Sequence, residues 1–218
     1  MQILSVSDYV EKDLLEKKDT LPVPPDLILA CGDLPPEYLT ELRAFYEVPL
    51  LYITGNHDIR YRDSPPVGCT NIHAQVITEQ GLRIAGFSGS RWYNGGQHQY
   101  HESEMKRSIL GKWFHLLHAW KLDIVISHAP PRYIHDHEDP CHKGFKGFRT
   151  LIEKKKPAWF IHGHTHKIFN NSAERITTFC ETKVVNSYGF FFFETELVDE
   201  KATVPETNHD EQNQQGQQ

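Results

Sequence analysis

The feature that most constrains the fold is a set of short apolar segments, each followed at once by a polar turn. Their apolar residues run on without alternation, as in strands that are buried on both faces of a sheet. Segments with helical spacing lie between several of them, so we predict an α/β domain. The segments that we assign to buried strands are Gln2–Ser7, Asp26–Cys31, Pro49–Thr54, Asp123–Ser127 and Ala158–Ile161.

The remaining elements follow from local patterns of the same kind. Alternating and short apolar segments predict further strands near Ala74–Thr78, Leu82–Phe87, Arg175–Phe179, Lys183–Asn186 and Phe190–Glu194. Helical spacing and proline position predict helices over Val10–Lys18, from Pro35 to Phe45, over Glu102–Trp120 and over Phe145–Lys156. We predict one domain over residues 1–198 and a disordered polar tail over residues 199–218, which lacks apolar residues.

Each of the five buried strands ends in a turn that carries a potential metal ligand. These ligands are Asp8, Asp33, Asn56, His128, and the pair His164 and His166. Sites in α/β sheets form outside the carboxyl ends of the strands, so we expect these side chains to converge. A mixed set of carboxylate, amide and imidazole groups fits two divalent cations that share a bridging carboxylate. A structural role is the alternative for any single residue: Asp33 as a turn former, or His128 as a hydrogen-bonded core histidine.

The turns resemble the motifs of the calcineurin-like metallophosphoesterases, in that family's order. The matching pieces are Ser7-Asp8, Gly32-Asp33, Gly55-Asn-His-Asp58, Ser127-His-Ala-Pro-Pro131 and Gly163-His-Thr-His166, and they span about residues 1–195. The chain is most similar to a group of small, mostly uncharacterised prokaryotic members. The resemblance implies an αββα sandwich, in which two mixed β-sheets pack face to face and helices flank them.

The resemblance also implies a role for each ligand. Asp33 would bridge two metal ions, Asp8 and His166 would hold the first ion, and Asn56, His128 and His164 would hold the second. The chain departs from the family pattern in two places. The first motif usually reads Asp-x-His, but Val10 cannot ligate a metal, so the first site is one ligand short and is expected to be weak. Pro36 replaces a residue that is often acidic or an amide, and Asp58 is then the candidate partner of the catalytic imidazole.

These roles imply a metal-dependent hydrolase of phosphate esters, in which a metal-activated hydroxide attacks in line with the leaving group. His57 is the candidate general acid, and a turn histidine that only contacts a neighbouring loop is the alternative. We expect Arg91 to bind a phosphate oxygen, although an exposed arginine without that role is equally consistent. In the polar loop 135–142, Asp139 and His142 are candidates to contact the substrate or the weaker ion, and a surface loop is the alternative.

Several alternatives stay open at this point. The ions could be Mn²⁺, Fe²⁺ or Fe³⁺, Zn²⁺ or Mg²⁺, and the substrate a small monoester or diester, with a slight preference for a diester or nucleotide. A different class of function is a protein-binding scaffold of the same fold whose metal sites have decayed. Val10 favours the scaffold, whereas His57 and the complete second ligand set favour the enzyme.

The composition limits the partners. A net charge of −6 gives no reason to expect a nucleic-acid backbone as a ligand. No apolar run approaches the roughly 18 residues that span a membrane. The four cysteines are far apart without a paired motif, which favours free thiols and a cytoplasmic location. The sequence carries no indication of the oligomeric state.

Overall fold

Pairing of the apolar segments builds two large sheets. The computed structural model describes residues 1–17, 19–111 and 122–196. The strands are β1 (Gln2–Ser7), β2 (Leu27–Ala30), β3 (Leu50–Tyr52), β4 (Thr70–Asn71), β5 (Gln75–Glu79), β6 (Leu82–Phe87), β7 (Ser90–Arg91), β8 (Gln99–Tyr100), β9 (Ile124–Ser127), β10 (Trp159–His162), β11 (Ile176–Phe179), β12 (Thr182–Asn186) and β13 (Gly189–Glu194). The helices are α1 (Asp13–Glu16), α2 (Pro36–Tyr46), α3 (Glu102–Gly111) and α4 (Lys146–Lys155), with 3₁₀ turns at Ile59–Arg62 and Ser172–Arg175.

The first sheet has the strand order β13-β1-β2-β3-β4. Strands β1 to β4 run parallel, and β13 pairs antiparallel with β1. The second sheet has the order β11-β12-β10-β9-β6-β5. Its inner strands β12, β10, β9 and β6 are parallel, while β11 and β5 are antiparallel edges. Both sheets are therefore mixed, as the sequence predicts.

The two sheets pack face to face through one apolar core. Ile3, Leu29 and Leu51 of the first sheet join Ile84, Ile126 and Ile161 of the second in a single buried cluster. Each fully buried side chain of this kind contributes about 1.5–3 kcal/mol through removal of apolar surface from water. This core fixes the position of one sheet relative to the other.

Helices cover the outer face of each sheet. Leu39 and Leu42 of α2 pack with Leu14 of α1 against the first sheet. Met105 of α3 and Phe148 of α4 pack against the second. The layer order is helix, sheet, sheet, helix, and the predicted αββα sandwich is confirmed.

Differences from the sequence prediction are confined to short or polar elements. The helix predicted over Val10–Lys18 is reduced to α1, and the two-residue strands β4, β7 and β8 carry no apolar run that could announce them. The predicted helix Glu102–Trp120 begins as α3, but its second half lies outside the described residues, as does the tail from Asp199. All four cysteines are free thiols. Among the described helices, none combines the length and apolar character that crossing a bilayer requires.

Candidate metal centre

The carboxyl ends of strands from both sheets meet at one edge of the sandwich. Asp8 follows β1, Asp33 lies beyond β2, and His164 lies beyond β10. All three residues adopt left-handed backbone conformations, with φ of 63°, 56° and 67°. Such conformations are costly for residues other than glycine, and they concentrate at functional sites, where the surrounding structure maintains them. The strained turns direct these side chains towards the edge instead of along the strands.

Four of the predicted ligands form one cluster, which we call the histidine cluster: Asp33, Asn56, His128 and His164. The Nε2 atom of His128 lies 3.2 Å from Oδ2 of Asp33 and 3.1 Å from Oδ1 of Asn56. The rings of His128 and His164 are 4.7 Å apart between centroids. One ligand atom from each of Asp33, His128 and His164 lies within 4.8 Å of the others.

Hydrogen bonds to main-chain carbonyls fix the tautomers of both histidines. Nδ1 of His128 donates to the carbonyl oxygen of Cys31 at 2.9 Å, and Nε2 of His164 donates to that of Cys141 at 2.8 Å. In a neutral imidazole the other nitrogen then carries the lone pair. Histidines that bind metals almost always donate their second N–H in this way. Both rings therefore have the orientation that metal ligation requires.

When His128 is neutral, acceptor atoms converge in the histidine cluster without a matching donor. The lone pair of His128 Nε2 faces a carboxylate oxygen and an amide oxygen, and neither oxygen can donate a hydrogen. Burial alone would lower the pKa of His128, but the charge of Asp33 raises that pKa to about 10. Burial also lowers the pKa of His164 to about 3, so its imidazole is neutral near pH 7. The cluster is stable with a positive charge at its centre, either a proton or a metal cation, and its donor set fits a divalent ion.

Asp8 and His166 form a second group beside this cluster, which we call the Asp8 pair. The Asp8 side chain is 0% exposed, and its Oδ1 lies 3.3 Å from Nε2 of His166. Its Oδ2 accepts the backbone N–H of His164 at 2.9 Å. The hydrogen bond with Asp8 raises the pKa of His166, whose side chain remains 59% exposed. The pair lies at the rim of the site and is open to solvent on one side.

Val10 does not take part in the site. Its partly buried side chain packs against the apolar cluster between the first sheet and its helices. The position that holds a histidine in the family's usual first motif is thus committed to packing.

Gly163 allows the Asp8 pair to approach β10. A Cβ atom at this position would lie 2.4 Å from Oδ2 of Asp8 and 2.6 Å from Oγ of Ser7. We expect Gly163→Ala to lower the free energy of unfolding by about 1–3 kcal/mol, the usual cost of overpacking a close contact. Urea unfolding measures this change. Gly111→Ala is the control, because the added Cβ would meet no atom within 4 Å in the described part of the chain apart from its own helix backbone and adjacent residues. Equal stability of the two variants would contradict the close contact at Gly163.

His57 and Asp58 lie on the turn that also carries Asn56. The backbone N–H of His57 donates to Oδ1 of Asp33 at 2.8 Å, while its side chain is exposed at a cavity of about 230 Å³ beside Asp33. Asp58 is buried, and its Oδ2 accepts the backbone N–H groups of Asp33 and Gly55 at 2.8 and 2.7 Å. Burial and the charge of Asp33 raise the pKa of Asp58 to about 6. The Asp58 carboxylate thus joins the second and third motif turns through their main chains.

The loop 135–142 reaches the site through its last residues. The His142 ring lies 5.1 Å from the His164 ring, and its Nδ1 lies 3.0 Å from Oδ1 of Asp139. Asp139 also accepts the backbone N–H groups of Cys141 and His142, both at 3.0 Å. His135 is directed elsewhere, to His162 and Thr177. Asp139 therefore shapes the turn that places His142 against the histidine cluster.

Arg91 is paired with a carboxylate on the helical side of the second sheet. Its Nη1 donates to Oε2 of Glu102 at 2.7 Å, and its guanidinium lies 5.6 Å from the Phe145 ring. Glu102 also accepts the backbone N–H groups of Lys146 and Gly147 at the start of α4. In this arrangement Arg91 supports the helices.

Three groups at the site have no counterpart among the residues singled out from the sequence. The Tyr93 hydroxyl lies 3.3 Å from Nδ2 of Asn56, the Cys141 carbonyl orients His164, and the Tyr188 ring lies 5.0 Å from the His166 ring. Tyr93 lies two residues after Arg91 in the chain. Nothing in the sequence indicates which main-chain carbonyl orients a histidine.

Comparisons with known proteins agree with this architecture. The model of the family described as "Calcineurin-like phosphoesterase" matches residues 7–168. One solved structure is similar with a TM-score of 0.60 and 16% identity, and the match covers 88% of this chain and 93% of that one. The structure of TT1561 of Thermus thermophilus is similar with a TM-score of 0.59 and 16% identity, over 86% of this chain and 89% of that one. At such identities the likeness concerns the fold. No curated protein matches the chain.

Proposed function

The chain belongs to the calcineurin-like phosphoesterase family, and we propose that it is a metal-dependent hydrolase of small phosphate esters. The observation that carries the proposal is that two oxygens converge on Nε2 of His128: Oδ2 of Asp33 lies 3.2 Å from it and Oδ1 of Asn56 lies 3.1 Å from it. When His128 is neutral all three atoms are acceptors, so a metal cation can replace the proton among them. Divalent ions bound there would promote ionisation of water and neutralise phosphate charge.

The two groups of residues would hold the ions differently. The proposed ligands are Asp33, Asn56, His128 and His164 at one position, and Asp8 and His166, together with Asp33, at the other. The main-chain bonds of His128 and His164 keep their rings in place before any ion binds. Such preorganisation lowers the cost of assembling the site. The metal identity stays open among Mn²⁺, iron, Zn²⁺ and Mg²⁺.

His57 is the group that we propose to donate a proton to the leaving oxygen. Its backbone bond to Asp33 holds it beside the histidine cluster, and its exposed side chain can reach a substrate in the adjoining cavity. A general acid needs this hydrogen-bond reach to the oxygen that it protonates. Asp58 supports the reaction through the turn that carries His57, since its carboxylate binds main-chain amides of the neighbouring motifs.

Two further residues would contact the substrate, and a third would orient one of them. His142, oriented by Asp139, is placed to hydrogen-bond a phosphate oxygen or its ester group from the side of His164. Arg91 would bind a phosphate oxygen only in competition with Glu102, its partner at 2.7 Å.

The free thiols favour a reducing compartment, and we therefore propose a cytoplasmic location.

A protein-binding scaffold with decayed metal sites is the second candidate. The packing of Val10 into an apolar cluster favours it, because one ligand position of the family's first motif is lost. The main-chain hydrogen bonds that orient the rings of His128 and His164 favour the enzyme, since a scaffold does not need this orientation.

Hydrolysis of p-nitrophenyl phosphate and of bis(p-nitrophenyl) phosphate distinguishes the two. We expect turnover with Mn²⁺, loss of turnover on chelation, and recovery when the ion is restored. The ratio of the two rates separates a phosphatase from a phosphodiesterase. Absence of hydrolysis with Mn²⁺, Fe²⁺, Zn²⁺ and Mg²⁺ would contradict the enzyme and support the scaffold.

The unequal ligand sets predict unequal metal affinities. The histidine cluster retains all of its expected ligands, whereas Val10 removes one from the group around Asp8. We expect metal analysis after gentle dialysis against buffer to find closer to one ion than two per chain. Val10→His is the matched variant, and it should retain more of the second ion. Two ions held equally well by the unaltered chain would contradict the prediction.

A further inference from the structure

A second cavity of about 380 Å³ opens beside the Asp8 pair, and the proposed reaction leaves it unused. We call it the aromatic cavity, because its walls include the rings of Tyr9, Phe169 and Tyr188. Lys167 and Arg175 supply positive charge to the same walls. Its volume falls within the roughly 300–1,000 Å³ of sites that bind small ligands.

The aromatic cavity adjoins the candidate metal centre through the residues that follow Asp8 and His166. Tyr9 follows Asp8 in the chain, and Lys167 follows His166. The Tyr188 ring lies 5.0 Å from the His166 ring on one side and 6.2 Å from the Tyr9 ring on the other. A molecule whose phosphate lies at the Asp8 pair would therefore extend its next group along these tyrosines.

Part of the cavity wall is held rigidly. Nη1 of Arg175 donates to the carbonyl oxygens of Tyr188 at 2.7 Å and Asn186 at 3.3 Å, and its guanidinium lies 4.5 Å from the Phe169 ring. The Lys167 ammonium lies 5.4 Å from the same ring. The main-chain position of Tyr188 is thus tied to a cation that also covers Phe169.

The lining of the aromatic cavity includes exposed large apolar side chains. Tyr9 is 53% exposed and Ile168 is 89% exposed. Exposed aromatic and aliphatic side chains next to a polar site gain stability when a flat apolar group covers them. A short alkyl ester would leave most of these surfaces in water, whereas an aromatic base has the shape and the π-face to cover a tyrosine ring.

We propose that the aromatic cavity binds the base of a nucleotide whose phosphate lies at the metal centre. The inference rests on the proposed function and narrows its substrate to nucleotide esters. Tyr9 and Tyr188 would contact the base, while Lys167 would face the negative charge of the phosphate end. Glu11, which also lines the cavity, would oppose an additional phosphate group near it.

The test compares two ligands that differ only in the base. Calorimetry measures the dissociation constants of AMP and of ribose 5-phosphate for the full chain in Mn²⁺ buffer. We expect AMP to bind at least about tenfold more tightly, because stacking of one base on an aromatic ring contributes a gain in affinity of this size. Tyr9→Leu should reduce this ratio to within about threefold of unity, and Tyr9→Phe, which keeps the ring, should preserve it. Tyr133→Leu, at an exposed tyrosine outside the cavity, is the control and should also preserve it.

The outcomes separate the inference from the proposed function. Equal affinity for AMP and ribose 5-phosphate, or a preference unchanged by Tyr9→Leu, overturns the base site even if p-nitrophenyl phosphate is hydrolysed. A preference for AMP that depends on the Tyr9 ring supports the base site. If that preference occurs without hydrolysis of any ester, the catalytic proposal fails and a nucleotide-binding protein remains. Circular dichroism shows whether each variant is folded.

Discussion

Replacement of Asp33 by Asn should lower kcat/KM for p-nitrophenyl phosphate by more than about 100-fold. Loss of a residue that merely supports a metal ligand typically costs about 10- to 100-fold in affinity or activity, and Asp33 is proposed to contact both ions directly. Its carboxylate also provides the charge that faces His128 at 3.2 Å. The amide of Asn keeps the shape but removes that charge, so metal retention and turnover should fall together. Steady-state kinetics and metal analysis of the same preparation measure both.

Asp63→Asn is the matched control, because it makes the same chemical change at an exposed position beyond the Ile59–Arg62 turn. It should leave metal content and turnover unaltered. If Asp33→Asn retained its metal and at least half of its activity, Asp33 would be a turn former, and the bridging role would be wrong.

Replacement of His57 by Ala should slow hydrolysis of alkyl phosphate esters by about 100- to 10,000-fold, the usual contribution of a general acid. The loss should be much smaller for p-nitrophenyl esters, because p-nitrophenolate leaves without needing a proton. Metal content should not change, since only the backbone N–H of His57 contacts a proposed ligand. Rates for a series of esters with different leaving groups show directly how the loss of activity depends on the leaving group.

His101→Ala is the control, because it removes another exposed histidine, whose ring stacks on Trp92. It should change neither the rate for alkyl esters nor the rate for p-nitrophenyl esters. Equal losses for alkyl and p-nitrophenyl esters in His57→Ala would exclude proton donation. His57 would then act by positioning the substrate, or as a turn residue that supports Asp33.

The strand ends of this fold could be found from the sequence because hydrophobicity marks them sharply. A mostly apolar run precedes Asp8, Asp33 and His128, and each run ends within a few residues of the polar group. Burial on both faces removes the alternation that would otherwise blur such a boundary. The convergence of these ends then follows from the geometry of parallel strands.

The contacts that tune the site could not be predicted in the same way. The carbonyl that orients His128 belongs to Cys31, 97 positions earlier, and the one that orients His164 belongs to Cys141. Every residue carries a carbonyl, so nothing in the sequence distinguishes these two. The pairing of Arg91 with Glu102 depends on how α3 packs against α4, which local patterns do not encode. Predictions from residue type thus reach the candidate ligands but do not reach the contacts that orient them.

The candidate ligands come from both sheets, and this division has a thermodynamic consequence. Asp8, Asp33 and Asn56 follow strands of the first sheet, while His128, His164 and His166 follow strands of the second. An ion shared between them would act as a reversible crosslink across the sandwich, present only in the folded state. By mass action, an ion at 100 times its dissociation constant would add about 2.7 kcal/mol to the free energy of unfolding. The availability of metal would thereby affect the resistance of the chain to heat and proteolysis, as well as its rate of hydrolysis.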